Sequence, residues 1–350
     1  IAGIVVDGNG VPAASAPADV EIVLDTTPFY AEKGGQLADH GTIRTASGAL
    51  IDIHDVQEPV KGLAVHRGRL LEGTVALDEL AIAEIDAARR LAIARAHTAT
   101  HMVHKGLHEF LGEQATQAGS ENSPSRMRFD FHHPSQVPSD VMDGIEERVN
   151  QRLAEDLTVT DSIMSLDEAR GLGAMALFGE KYGNEVRVVN IGDGWSLELC
   201  AGTHVPSTGH IGRIAVLGES SIGSGVRRID ALVGDGAYGF QAKEHAIVSQ
   251  LSAMMGANVD ELPGRIESLM KRLKEAEKTA AKLGEQQLLA RAGEIAARVH
   301  ELGSVQAVVE DLGELPSTDA LRSLVTDIRA RLGESKPAVV AGIGVVNGRP

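Results

Sequence analysis

Cys200 is the only cysteine among 350 residues, so no intrachain disulfide can staple this chain. Its fold has to rest on buried apolar surface, and a chain of this length with 43% hydrophobic residues has enough for several cores. A single cysteine suits a reducing compartment. Its setting is informative. "CAGTH" places His204 four residues after Cys200, and "HTATH" places His97 and His101 four apart, about 100 residues earlier.

On a helix, residues four apart share a face, so two imidazoles at 97 and 101 can reach one ion. Gly202 gives the turn after Cys200 the freedom to bring His204 back beside the thiol. Three histidines and one cysteine form a donor set matched to tetrahedral Zn²⁺. Each half alone is a weak signal. The chain holds 13 histidines, and His104 and His108 form another such pair. "HTATH" lacks the glutamate of HExxH, so the base of a metalloprotease is absent. No GxSxG elbow and no GxxxxGK[ST] phosphate loop occurs.

The first 77 residues read as strands and turns, with Val20–Asp25, Ala49–Val56 and Leu63–Leu70 as apolar or alternating runs. That predicts a β-barrel-like module. From Asp78 to Gly112 the apolar spacing predicts a helix. Further on, Arg126–His133 alternates as a strand, and Ser139–Leu153 reads as an amphipathic helix capped by Ser139. The "EVRVVNIG", "WSLEL", "GRIAVLGE" and "GVRRIDALVG" segments are strands, which makes 78–240 an α+β domain. Leu262, Ile266, Leu269, Leu273, Ala276, Ala280 and Leu283 then step as a heptad seam, which predicts a helical coiled-coil arm over 241–310. A helix at Thr318–Leu332 and a strand at Ala338–Gly344 begin an α/β domain over 311–350 that reads as incomplete.

Five stretches in order, "TPFYAEKGGQLADHG", "ARAHTATHMVHKGLHEFLG", "TQAGSENSPSRMRFDF", "LELCAGTHVPSTGHIG" and "GVRRIDALVG", resemble the C-terminal half of bacterial alanyl-tRNA synthetase. The resemblance is specific over residues 1–240 and weaker beyond. It implies an N-terminal β-barrel module, an editing domain, a helical arm and the start of a C-terminal tRNA-binding or oligomerisation domain, with the aminoacylation domain lying upstream. It implies one Zn²⁺ per chain on His97, His101, Cys200 and His204. The implied activity is hydrolysis of the aminoacyl ester of tRNA(Ala) mischarged with serine or glycine, without amino-acid activation. Gln117 is the implied polar pocket residue and Thr116 its neighbour in that role. Gly34, Gly35, Gln36, Arg227 and Arg228 are the residues expected at the tRNA. Two positions depart from the family pattern: Ala201 replaces a glycine between the ligands, and Lys33 replaces a serine beside the glycine pair.

The net charge of −16 and an aromatic content of 3% exclude a basic nucleic-acid coat and a base-stacking platform, though not a local RNA site. No apolar stretch reaches ~18 residues, so no membrane span is expected, and the protein reads as cytoplasmic. Two other readings stay open: a free-standing trans-editing deacylase, and a non-catalytic tRNA-binding or oligomerisation module with structural zinc. A homodimer through the arm or the C-terminal domain is also compatible with the heptads.

Overall fold

The computed structural model describes residues 1–176 and 183–346, so the last four residues of the expected C-terminal domain lie outside the described residues. The chain divides into two units, residues 1–245 and 246–350. No helix among the described residues is long and apolar enough to cross a membrane.

The first unit opens with a seven-stranded antiparallel sheet. Its order is Asn9–Gly10, Gly3–Val6, Ala18–Val23, Leu63–Glu72, Leu50–Val60, Gly41–Thr45 and Ala81–Ile85. Leu50–Val60 and Leu63–Glu72 make a long hairpin. Ile51 and Ile53 face the core while Asp52 and His54 face out, as a two-residue period demands. A bulge between Ile53 and Asp55 shifts the phase by one, which turns Val56 inward. Ile4, Ile22, Ile43 and Leu70 complete that core.

The predicted helix over Asp78–Gly112 is corrected at its start. Ala81–Ile85 is an edge strand paired with Gly41–Thr45, so the first module reaches past residue 77. Its Ala, Ile and Glu residues favour neither state strongly, and sheet pairing decides the outcome. Asp86 then caps helix α1 (Ala87–Leu111), its carboxylate accepting from Arg89 N at 2.9 Å.

Helix α1 lies on a four-stranded antiparallel sheet of order Gln117–Ser123, Arg126–His132, Val226–Val233 and Ile214–Gly223. Helix α2 (Ser139–Ala154) packs beside α1. Pro138 takes the cap position without a side-chain bond, and the expected cap, Ser139, is the first helical residue. Met102, Leu107, Met127, Phe129, Phe131, Ile145 and Ile229 are each fully buried between these layers. A third sheet, Val159–Ser165, Glu185–Ile191 and Ser196–Leu199, is antiparallel throughout, with helix α3 (Leu166–Gly171) on its rim. The strand Ser196–Leu199 ends at Cys200.

Helix α4 (Asp235–Met255) runs across the division between the units. In the second unit, helix α5 (Leu262–Ala290) carries Pro263 in its first turn, where a missing N–H costs nothing. Seam residues Ile266, Leu269, Leu273 and Leu283 are 40–60% exposed. Helix α6 (Ala292–Ala296) leads to a three-stranded sheet of His300–Leu302, Val305–Glu314 and Ala338–Val345. This sheet starts at His300, earlier than the expected boundary at 311. The last two strands run parallel and are joined by helix α7 (Thr318–Leu332), whose cap is Ser317.

Phe129 anchors the contact between α1 and its sheet. Phe129→Ala should destabilise the protein by ~3–5 kcal/mol, the usual cost of emptying a buried aromatic site. Chemical denaturation of the two forms measures it. A loss below ~1 kcal/mol would show that the layers close over the gap.

Candidate metal centre

Helix α1 presents His97 and His101 with rings stacked 5.2 Å apart, and the His204 ring lies 4.6 and 5.0 Å from them. Cys200 Sγ is 3.4 Å from His97 Nε2 and 3.3 Å from His204 Nε2. One donor atom from each of the four residues falls within 4.8 Å of the others. The two stretches quoted from the sequence therefore do meet.

The hydrogen bonds behind the rings fix what they offer in front. Gln36 Oε1 accepts from Thr203 N at 2.8 Å, which identifies that atom as the carbonyl oxygen. It must then accept from His97 Nδ1–H, 2.9 Å away. Glu198 Oε2 accepts from His101 Nδ1–H at 2.7 Å. Thr98 donates its hydroxyl proton to Ala94 O, so it accepts from His204 Nδ1–H at 3.2 Å. With each proton on Nδ1, all three Nε2 atoms present lone pairs to the thiol. His101 Nε2 is buried and faces the Cys200 thiol. A cluster of inward lone pairs beside a cysteine could hold a cation, and its nitrogen and sulfur donors suit zinc.

Without an ion, a proton on His101 Nε2 takes its place. Burial opposes a charge on His101, yet the Glu198 carboxylate and the Cys200 thiolate outweigh it and hold its pKa up to about 10. Burial would raise the Cys200 thiol, but His97 and His101 bring it well below its ordinary value. Burial pushes His204 down to about 3. Two buried anions thus call for positive charge, which either a proton or a metal ion can supply.

The loop that carries Cys200 and His204 is clamped by Arg187. Its Nη1 donates to Cys200 O at 3.0 Å and Gly202 O at 2.7 Å, and its Nε donates to Asp161 at 2.9 Å. Gly202 lies so close to His97 that a Cβ there would sit 2.2 Å from the ring. Ala201, by contrast, is exposed, so its methyl group meets no ligand. Lys33 is neutralised by Glu58 at 3.0 Å.

His97, His101 and Cys200 sit in the wall of a cavity of about 310 Å³ that also includes Thr100, Gln117 and Ser120, and His204 closes the donor cluster from behind that wall. Gln117 lies where expected, donating to Ser120 Oγ at 3.0 Å. Thr116 does not line this cavity. Its hydroxyl meets His132 Nδ1 at 3.1 Å, and it faces a groove on the other side of Gln117, which borders both spaces. Of the three residues expected at the tRNA in the glycine loop, Gly34 lines the cavity and is exposed. Gly35 has φ +77° and docks on the strand Gln117–Ser123, where a Cβ would sit 2.5 Å from Ser120 O. Gln36 is fully buried, and its partners are His97 and Thr203. Arg227 is paired with Glu219, and Arg228 with Asp130 at 2.7 Å, across the sheet.

Sequence reasoning missed Glu198, Thr98 and Arg187. Glu198 left a readable sign: an acid in the apolar "LELC" strand, two residues before Cys200 and so on the same face. Glu198→Gln should weaken zinc binding ~10–100-fold, the usual effect of removing the partner behind a ligating histidine. Competition against a chromophoric chelator measures this, and an unchanged affinity would show that Glu198 does not hold His101 for the ion.

Residues 186–230 match the model of the threonyl and alanyl tRNA synthetase second additional domain, and residues 1–89 match that of class II (A) tRNA synthetases. The chain is 54% identical over 351 residues to the alanine–tRNA ligase of Acidothermus cellulolyticus, matching 100% of this chain and 39% of that protein. It is 53% identical over 348 residues to that of Bifidobacterium longum, with 99% and 39% covered. For Kineococcus radiotolerans the figures are 52% over 343 residues, with 98% and 38% covered. The chain spans about two-fifths of the length of these curated relatives. By sequence it belongs to the alanyl-tRNA synthetase family, as a region that includes the second additional domain shared by threonyl and alanyl enzymes.

Proposed function

We propose that the cavity is an editing site, which hydrolyses the aminoacyl ester of tRNA(Ala) mischarged with serine or glycine. The observation that carries this reading is that three members of the four-donor cluster, His97, His101 and Cys200, share one cavity wall with the polar groups of Gln117, Ser120 and Thr100. The need for such a site follows from binding energies. A pocket for alanine gains only ~1–3 kcal/mol from one methyl group and rejects an added hydroxyl weakly. Serine is larger than alanine, so a size filter cannot remove it. A pocket that pairs with the hydroxyl can.

A zinc ion on the four donors would supply Lewis acidity to the cavity wall. The chain's own residues do the selecting. Gln117 Nε2 donates to Ser120 Oγ, which leaves the Ser120 O–H and Gln117 Oε1 to pair with a serine hydroxyl. Thr100 donates to Asn122 Oδ1 at 2.6 Å, which fixes its oxygen in the same wall. Alanine would leave these groups unpaired, at a cost of ~1–3 kcal/mol. Gly34 lies exposed at the cavity, on the side from which an RNA end would enter. In this reading Arg187 and Gln36 are positioning residues that hold the ligand loop.

The deciding measurement is release of amino acid by the purified chain from Ser-tRNA(Ala) and Ala-tRNA(Ala). Serine should be released and alanine retained. Cys200→Ala should lose both zinc and hydrolysis. Gln117→Ala should keep its zinc and lose ~5–150-fold in preference for serine over alanine, the equivalent of ~1–3 kcal/mol. Zinc retained at one per chain with neither ester cleaved would replace this reading with a tRNA-binding module built on structural zinc.

A further inference from the structure

Four histidines, not two, follow one face of α1. His97, His101, His104 and His108 are separated by four, three and four residues, the spacing that stacks side chains along one side of a helix. The centre described above uses the first pair. The second pair begins beside the same carboxylate. His104 Nδ1 lies 3.2 Å from Glu198 Oε1 but makes no hydrogen bond there, while the other oxygen of this carboxylate accepts from His101. The His108 ring is hydrogen-bonded to the backbone of Ala115. Its Nε2 has no partner among the described residues, so the bond is made through Nδ1.

A carboxylate or carbonyl can only accept. The His108 proton therefore sits on Nδ1, and the neighbouring Glu198 carboxylate favours the same placement in His104, which makes the two Nε2 atoms lone pairs. Both are buried, and neither meets a donor among the described residues. His104 is 4% exposed. The two rings lie 4.5 Å apart and line a groove of about 620 Å³, together with Lys105 and Trp195. Packing on Phe129 would explain one core histidine at 104. It would not explain a second ring, one turn further along the helix, with its Nδ1 anchored and its Nε2 left bare. Two adjacent buried acceptors without a donor are costly, and a cation between them removes the cost.

We propose that His104 and His108 form a second site for a borderline divalent cation such as Zn²⁺, separate from the four-ligand centre. The protein supplies two nitrogens, and the remaining positions face the groove, where water or an anionic oxygen completes them. With two protein donors instead of four, the site binds its ion more weakly than the Cys200 centre does. Imidazole nitrogens select zinc, nickel or cobalt over magnesium and calcium.

The test is a Co²⁺ titration of the chelator-stripped full chain, followed by equilibrium dialysis and absorbance. A thiolate-to-cobalt band marks the Cys200 centre, and a site without sulfur does not show it. Two ions per chain are expected, the first with the band and the second without. His108→Ala should remove the second ion, or weaken it at least ~10-fold, and leave the band and the circular dichroism unchanged. If alanine disturbs the helix, His108→Gln gives the same readout with a polar side chain of similar reach. One ion per chain at saturation would overturn the proposal. So would a second ion that survives substitution of His108, since it would belong to histidines elsewhere. Deacylation is not part of the readout, so the result stands apart from the editing reading.

Discussion

The buried amide of Gln36 joins three parts of the chain that would otherwise have no reason to meet. Its oxygen accepts from His97 on α1 and from the backbone of Thr203 in the ligand loop, and its nitrogen donates to the Thr203 hydroxyl. All four hydrogen bonds a buried amide can form are difficult to satisfy together; here three are made to groups that shape the metal centre. The loop that delivers Gln36 is itself held by the Gly35–Asn122 and Leu37–Asn122 backbone bonds. The site's geometry therefore depends on a residue from the loop between the Ala18–Val23 and Gly41–Thr45 strands, although every donor atom comes from elements that follow it.

Glu198 has a similar role on the opposite side. It is a buried carboxylate held well below its ordinary pKa: burial opposes its charge, and His101 and His104 more than compensate. A buried charge is tolerated only where partners use its oxygens, and Glu198 has two histidines and Ser196. Removing it would leave two imidazoles free to turn. Arg187 completes the frame by holding the carbonyls of Cys200 and Gly202. The four donors are thus oriented by an amide, a carboxylate, a hydroxyl and a guanidinium.

Much of this could be read in the sequence, for physical reasons. Spacing of four residues has a fixed meaning on a helix, so the His97 and His101 pair was legible, as was the "CAGTH" turn with its glycine. The long strands and α7 followed from period and capping. What could not be read were decisions made by tertiary pairing. Ala81–Ile85 has a composition neutral between helix and strand, and its partner Gly41–Thr45 lies 40 residues away in sequence. The inward turn of Gln36 depends on a strand that sequence places far from it. Thr116 was the weaker candidate of the pair, and the strand that begins at Gln117 brings only Gln117 to the cavity. The strand Val305–Glu314 obscured the second unit's boundary in the same way, since its pairing partners flank it on both sides of residue 311.

The bond between Gln36 and His97 has a thermodynamic consequence. Ion binding and docking of the first sheet share an interaction, so each must strengthen the other by the same factor. An ion on His97 favours the state in which Gln36 is seated, and a seated Gln36 pre-sets the imidazole for the ion. An ion held on these donors would then be coupled through Gln36 to the first 85 residues, although none of the four donors comes from them.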